Sequence, residues 1–103
     1  MLASIHYLIR SKQDGQYLVA RVKNSPEEAK PARYLLIFTE QYDALSYLNA
    51  HAKQMSDRFA VESLAGTQLK TLLKRWGFEG VGLVRDPLVP EIDFMLKDST
   101  NYF

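Results

Sequence analysis

The residues of this chain that could do chemistry are few, and the first cluster of them lies in KRWGFEGVGLVRDP, residues 74–87. This stretch holds three of the five glycines, and it opens on the cations Lys74 and Arg75. It is either a loop that cradles a phosphate or the join between a helix and a strand. Phosphate loops run strand, glycines, helix, because the anion must meet the free N–H groups and positive dipole end of a helix N-terminus. Here the amphipathic segment comes first and the glycines follow it. Trp76-Gly77 therefore reads as a helix end, with Gly77 in the left-handed conformation and Lys74 and Arg75 beside the negative pole. Gly80 and Gly82 read as the slim start of a strand.

The other chemically able residues are more scattered. His6 and His51 are the only histidines, and neither has a second histidine or an acid at metal-ligand spacing. The expectation is a strand-surface His6 and a solvent-facing His51. Asp86, Glu91 and Asp93 could supply hard oxygen ligands, but Pro87 and Pro90 interrupt them and the glycine of a calcium loop is missing. They read as a solvated acidic edge, so neither a metal nor a cofactor is expected. No serine lies in a G-x-S-x-G turn, and no base is placed by sequence to activate Ser4, Ser25 or Ser63. The expectation is a protein that is not an enzyme.

Two sets of residues suggest binding instead. Lys70, Lys74, Arg75 and Arg85 could hold an anion or the phosphates of a nucleic acid. A net charge of +1 is far from the balance of a dedicated nucleic-acid binder, so that partner is disfavoured. Tyr7, Tyr17 and Tyr47 are candidates for an interface, since aromatics are enriched in interface cores and a bare sheet edge invites pairing. A homodimer, or another protein partner, is the expected assembly. Charge is uneven near the end: residues 67–85 carry Lys70, Lys74, Arg75 and Arg85 against Glu79, whereas 86–103 carry Asp86, Glu91, Asp93 and Asp98 against Lys97. Such an asymmetry can bias self-association.

The elements that must position these residues follow from apolar periodicity. At 103 residues and 47% apolar composition, the chain suits one domain, residues 1–103. SIHYLIR and QYLVARVK flank Asp14-Gly15 and read as a β-hairpin. NSPEEAKPAR reads as a loop, and YLLIFT as a central strand covered on both faces. A helix follows, with Thr39 able to cap it and Ala44, Leu45, Leu48, Ala52 and Met55 as its inward stripe. RFAVESL reads as a strand. Gly66-Thr67 opens a second helix whose Leu69, Leu72, Leu73 and Trp76 share one face. GVGLVR is a strand ended by Asp86-Pro87, and Ile92, Phe94 and Leu96 alternate as one more in the tail 88–103.

The expected class is α+β: an N-terminal hairpin, then a βαβαβ core over 34–87, forming a five- or six-stranded mixed sheet with two helices mainly on one face. The absence of cysteine, of a signal-like N-terminus and of an apolar run of membrane-spanning length predicts a cytoplasmic protein with no membrane partner.

YLLIFTEQYDALSYL followed by LKTLLKRWGFEGVGLVRDP resembles the N-terminal domain of the SseB-type (enhanced-serine-sensitivity) family. There a strand ending in Phe-Thr runs into a helix with an acidic-alanine start, and a later helix leads to a glycine-bearing strand closing in a polar-Pro pair. The resemblance spans Tyr34 to Pro87 and implies a small α+β module. No catalytic residue carries over. The chain departs from that pattern in lacking a glycine after Asp86-Pro87 and in opening with Asp14-Gly15.

Overall fold

The computed structural model describes residues 5–23, 26–27 and 30–97. The elements run β1 (Ile5–Ser11), β2 (Val19–Val22), β3 (Ala32–Ile37), α1 (Gln41–His51), a 3₁₀ helix (Lys53–Arg58), β4 (Phe59–Ala65), α2 (Gly66–Trp76), β5 (Gly80–Asp86) and β6 (Glu91–Leu96). This is a mixed α+β fold, with the expected βαβαβ order from β3 to β5.

Its six strands divide into a four-stranded sheet, β2-β3-β5-β6, and a two-stranded sheet, β1-β4. β3 and β5 are parallel, with Tyr34 beside Gly80 and Ile37 beside Leu83; the other pairs are antiparallel. The two segments around Asp14-Gly15 do not form the expected regular hairpin. Gly15 does take φ +71°, but β1 gives its ladder to β4 and β2 gives its own to β3. β1 meets β2's approach only at the bridge between Arg10 and Tyr17, and meets the end of β3 at the bridge between Tyr7 and Phe38. It thereby stitches one sheet to the other.

Alternation along β3 decides where the helices go, because successive side chains point to opposite faces. Leu35 and Ile37 pack with Leu8, Val81 and Leu83 against Leu69 and Leu73 of α2. Leu36 and Phe38 pack with Ile9 and Val84 against Ala44 and Leu48 of α1. The helices thus cover opposite faces of β3 instead of mainly one, which is the arrangement a strand with no polar side demands. Burying each of these large aliphatic side chains contributes about 1.5–3 kcal/mol.

Local details follow from the ends of the helices. α1 is preceded by Glu40 as N-cap, with no side-chain cap bond, so Thr39 does not cap it. Ala44 and Leu48 are buried as expected, but Leu45 and Met55 are 49% and 45% exposed. The helix stops at His51, and the following 3₁₀ turn rotates Met55 off the inward stripe. α2 ends at Gly77, whose φ of +69° lets its N–H reach the Lys74 carbonyl, as the glycine pattern required.

Candidate functional site

One apolar surface that the fold leaves uncovered among the described residues lies on the α1 side of the four-stranded sheet. α1 covers the end near Phe38, and no helix among the described residues covers the end near Tyr34. Tyr34 shares its face with Leu36 by alternation, and a methyl on Gly82 would meet Ile92, Leu36 and Phe94 together, so Phe94 is on that face too. The Tyr34 and Phe94 rings meet edge to face at 5.1 Å. Phe94 is nevertheless 47% exposed and Leu96 55% exposed.

These side chains stand at a sheet edge. β6 pairs with β5 on one side, and among the described residues no strand lies on the other. The Lys97 N–H donates to the Glu79 carbonyl at 2.9 Å, which orients the odd-numbered residues of β6 toward β5. The backbone groups of Ile92, Phe94 and Leu96 therefore point outward. An apolar strip and a row of outward backbone donors and acceptors coincide on one strand.

A second feature is a groove of about 260 Å³ between α2 and the β1-β4 sheet, walled by Arg10, Tyr17, Gln68, Arg75 and Trp76 among others. Tyr17 and Trp76 meet edge to face at 5.0 Å. The Arg10 guanidinium lies 4.8 Å from the Tyr17 ring centre and 3.7 Å from the Glu62 carboxylate. Arg10 Nε also donates to the Gly15 carbonyl at 2.8 Å. The Tyr17 hydroxyl donates to Glu62 at 3.4 Å. Burial, with the Glu62 charge second, raises the Tyr17 pKa above the usual phenol value, so the ring stays neutral.

The four candidate anion-binding residues do not converge. Lys74 and Arg75 occupy the last turn of α2, and Lys70 lies one turn earlier. Arg85 sits toward the far end of β5, about 16 Å along the strand from Gly80, where it pairs with Asp93. Of the acidic trio, Asp93 is engaged by Arg85, and the Asp86 carboxylate accepts from the N–H groups of Leu88 and Val89 at 2.9 and 3.3 Å. Glu91 begins β6. No group of three metal-ligating side chains forms among the described residues.

The three candidate interface tyrosines are half-buried supports of the core rather than a free patch. Tyr7 packs against the α1-side core, Tyr17 against the α2-side core, and Tyr47 against Phe38 at 5.5 Å. Burial raises the Tyr47 pKa. His51 is exposed, as expected, with its ring 4.6 Å from that of Tyr47 and Nε2 2.8 Å from the Pro87 carbonyl. His6 is not on the surface: it is 5% exposed, and burial lowers its pKa. It lies on the same face as Leu8, and that alternation is the sequence signal for its burial. Phe94 and Leu96 are legible as strand residues, but their exposure depends on which sheet face α1 leaves bare.

The mixed α+β arrangement has a solved counterpart. Tic22 of Anabaena, a protein of protein transport, shares the fold at a TM-score of 0.54 and 19% identity, over 84% of this chain and 37% of that one. The chain thus spans little more than a third of the Tic22 chain, and the likeness concerns the fold alone. No family model and no curated protein matches the chain. No helix among the described residues is long and apolar enough to cross a membrane.

Proposed function

We propose that the chain is a non-enzymatic protein-interaction or assembly module that acts through the strip formed by Tyr34, Phe94 and Leu96 and the outward edge of β6, and that it works as a homodimer in the cytoplasm. The observation that carries this reading is the exposure of Phe94 and Leu96 on an edge strand. Covering such an edge satisfies backbone groups and removes apolar surface from water in one step. The SseB-type resemblance adds only the expectation of a small α+β module.

Light scattering across a concentration series, at low and high salt, tests the reading. The expected result is a dimer that persists as salt rises and is lost in Phe94→Ser/Leu96→Ser while the far-ultraviolet spectrum is retained. A strict monomer at every concentration overturns the homodimer.

The groove walled by Arg75, Trp76 and Tyr17 favours one alternative, a module that binds an anion with an aromatic part. Arg75 supplies charge in the groove, whereas Arg10 is already occupied by Glu62; Lys70 and Lys74 lie on the same helix outside its lining. Phosphate-type binding weakens steeply with salt, which separates it from the apolar contact.

A further inference from the structure

We propose that two copies of the chain join β6 to β6 in antiparallel register centred on Phe94, making one continuous eight-stranded sheet. This rests on the interaction reading above and specifies its partner and geometry. Three observations bear on it.

The first is the direction of the backbone groups. Because the even-numbered residues of β6 point their N–H and C=O groups outward, a symmetric antiparallel pair must place even residues opposite even ones. Centring on Phe94 does so: Phe94 faces Phe94 of the second copy, and Ile92 faces its Leu96.

The second is the face those residues share. Ile92, Phe94 and Leu96 lie on the α1 side, so the same register extends the Tyr34-Phe94 cluster into its symmetry mate and covers the exposed flanks of Phe94 and Leu96. Cross-strand aromatic and aromatic-aliphatic pairs are the favourable unit of sheet pairing.

The third is charge. In this register Glu91 stands opposite Lys97 of the second copy, and Lys97 opposite its Glu91, giving two opposite-charge pairs at the ends of the seam. Lys97 already faces Glu79 within its own chain, and the dimer sets acids on both its flanks. Shifting the register by two residues keeps the backbone pattern but separates Glu91 from Lys97; one of the two shifts sets Lys97 opposite Asp93 instead, a carboxylate that Arg85 already engages within its own chain. A self-complementary strand of this kind is what a two-fold interface requires.

The test uses the full chain, which has no cysteine of its own. Phe94→Cys places two sulfur-bearing residues about 5.5 Å apart between Cα atoms, within disulfide reach, and is expected to cross-link under mild oxidant. Leu96→Cys, about 14 Å from its mate, is expected not to. Separately, Glu91→Lys and Lys97→Glu are each expected to weaken dimerisation roughly tenfold, and the double swap to restore it to within about threefold, with thermal melts confirming each fold. A dimer in which cross-linking shows no preference for position 94, or in which the double swap is no better than the singles, overturns this register and leaves the homodimer reading standing. A wild-type chain that stays monomeric overturns both, whether another protein or residues 98–103 then proves to occupy the edge.

Discussion

The guanidinium of Arg33, near the start of β3, donates to the Trp76 carbonyl oxygen at 2.8 Å and lies 4.9 Å from the Phe78 ring centre. A strand residue thereby closes the C-terminus of α2, placing positive charge where the helix leaves carbonyls without intrahelical partners. Arg33→Ala is expected to lower unfolding free energy by about 1.5–2.5 kcal/mol in urea titration, because it removes a charged hydrogen bond and a cation–π interaction together. Arg33→Lys should recover less than half, because lysine has no planar fork to lie on the ring. A loss below about 0.5 kcal/mol for the alanine variant would count against the capping role.

The glycines between α2 and β5 differ in what they exclude. Gly77 sits at φ +69°, and a methyl there would meet only the Arg33 guanidinium, at an ordinary contact distance of 3.9 Å, so Gly77→Ala is expected to cost about 1–2 kcal/mol of backbone strain. Gly80 has ordinary φ, but a methyl there would collide with the Met95 carbonyl of β6. Gly80→Ala is expected to cost about 3 kcal/mol or more and to loosen β6, read as faster amide exchange along Glu91–Leu96. Equal, small losses at both positions would contradict the close packing of β5 on β6.

His6 makes stability depend on pH. Burial lowers its pKa below 6.5, so the unfolded chain binds the proton more readily than the folded one. The stability tied to a neutral His6 is complete above about pH 6.5 and is lost as pH falls from there toward the lower native pKa. Urea midpoints for the wild type should therefore drop more steeply than those of His6→Gln between about pH 7 and pH 5. Parallel profiles would remove His6 as the source.

In the groove beside α2, packing should outweigh charge. Arg10 and Glu62 are partly exposed, with side chains 36% and 37% accessible, so Glu62→Gln is expected to change stability by less than about 1 kcal/mol. Trp76→Ala removes a ring that supports Tyr17 and the α2-side core, and should cost about 2–4 kcal/mol. A double-mutant cycle on Arg10 and Glu62 measures their coupling directly.

Much of the fold is readable in the sequence because single residues are unambiguous. Gly77 announces the end of α2, the unbroken YLLIF run announces a strand buried on both sides, and Ile92, Phe94 and Leu96 announce β6 by alternation. What escapes depends on partners far away in the chain. Nothing near Asp14-Gly15 says that β1 will prefer β4 to its own neighbour, since that choice is made by packing against both helices. The burial of His6 and the half-burial of Tyr7 follow from the same choice, whereas Tyr17 is covered by Trp76 of α2 and Tyr47 by the packing of α1 on Phe38. The bare strip at Tyr34, Phe94 and Leu96 emerges only once α1 is seen to reach no further than the other end of the sheet. Arg85 falls near the cations of α2 in sequence, yet a strand carries it away from them in a few residues.

The parallel pairing of β3 with β5 also bears on how the chain reaches this state. Tyr34 and Gly80 become neighbours only after α1, β4 and α2 have been threaded between them, and β4 must meanwhile find β1 near the other end of the chain. The central pairings are thus among the most distant in sequence, and the entropy of closing those loops is spent before the strands meet. A mixed topology of this kind is expected to fold more slowly than a helical bundle and faster than an all-β sandwich. Until those loops close, the strands that later flank β5 remain open to pairing with other chains.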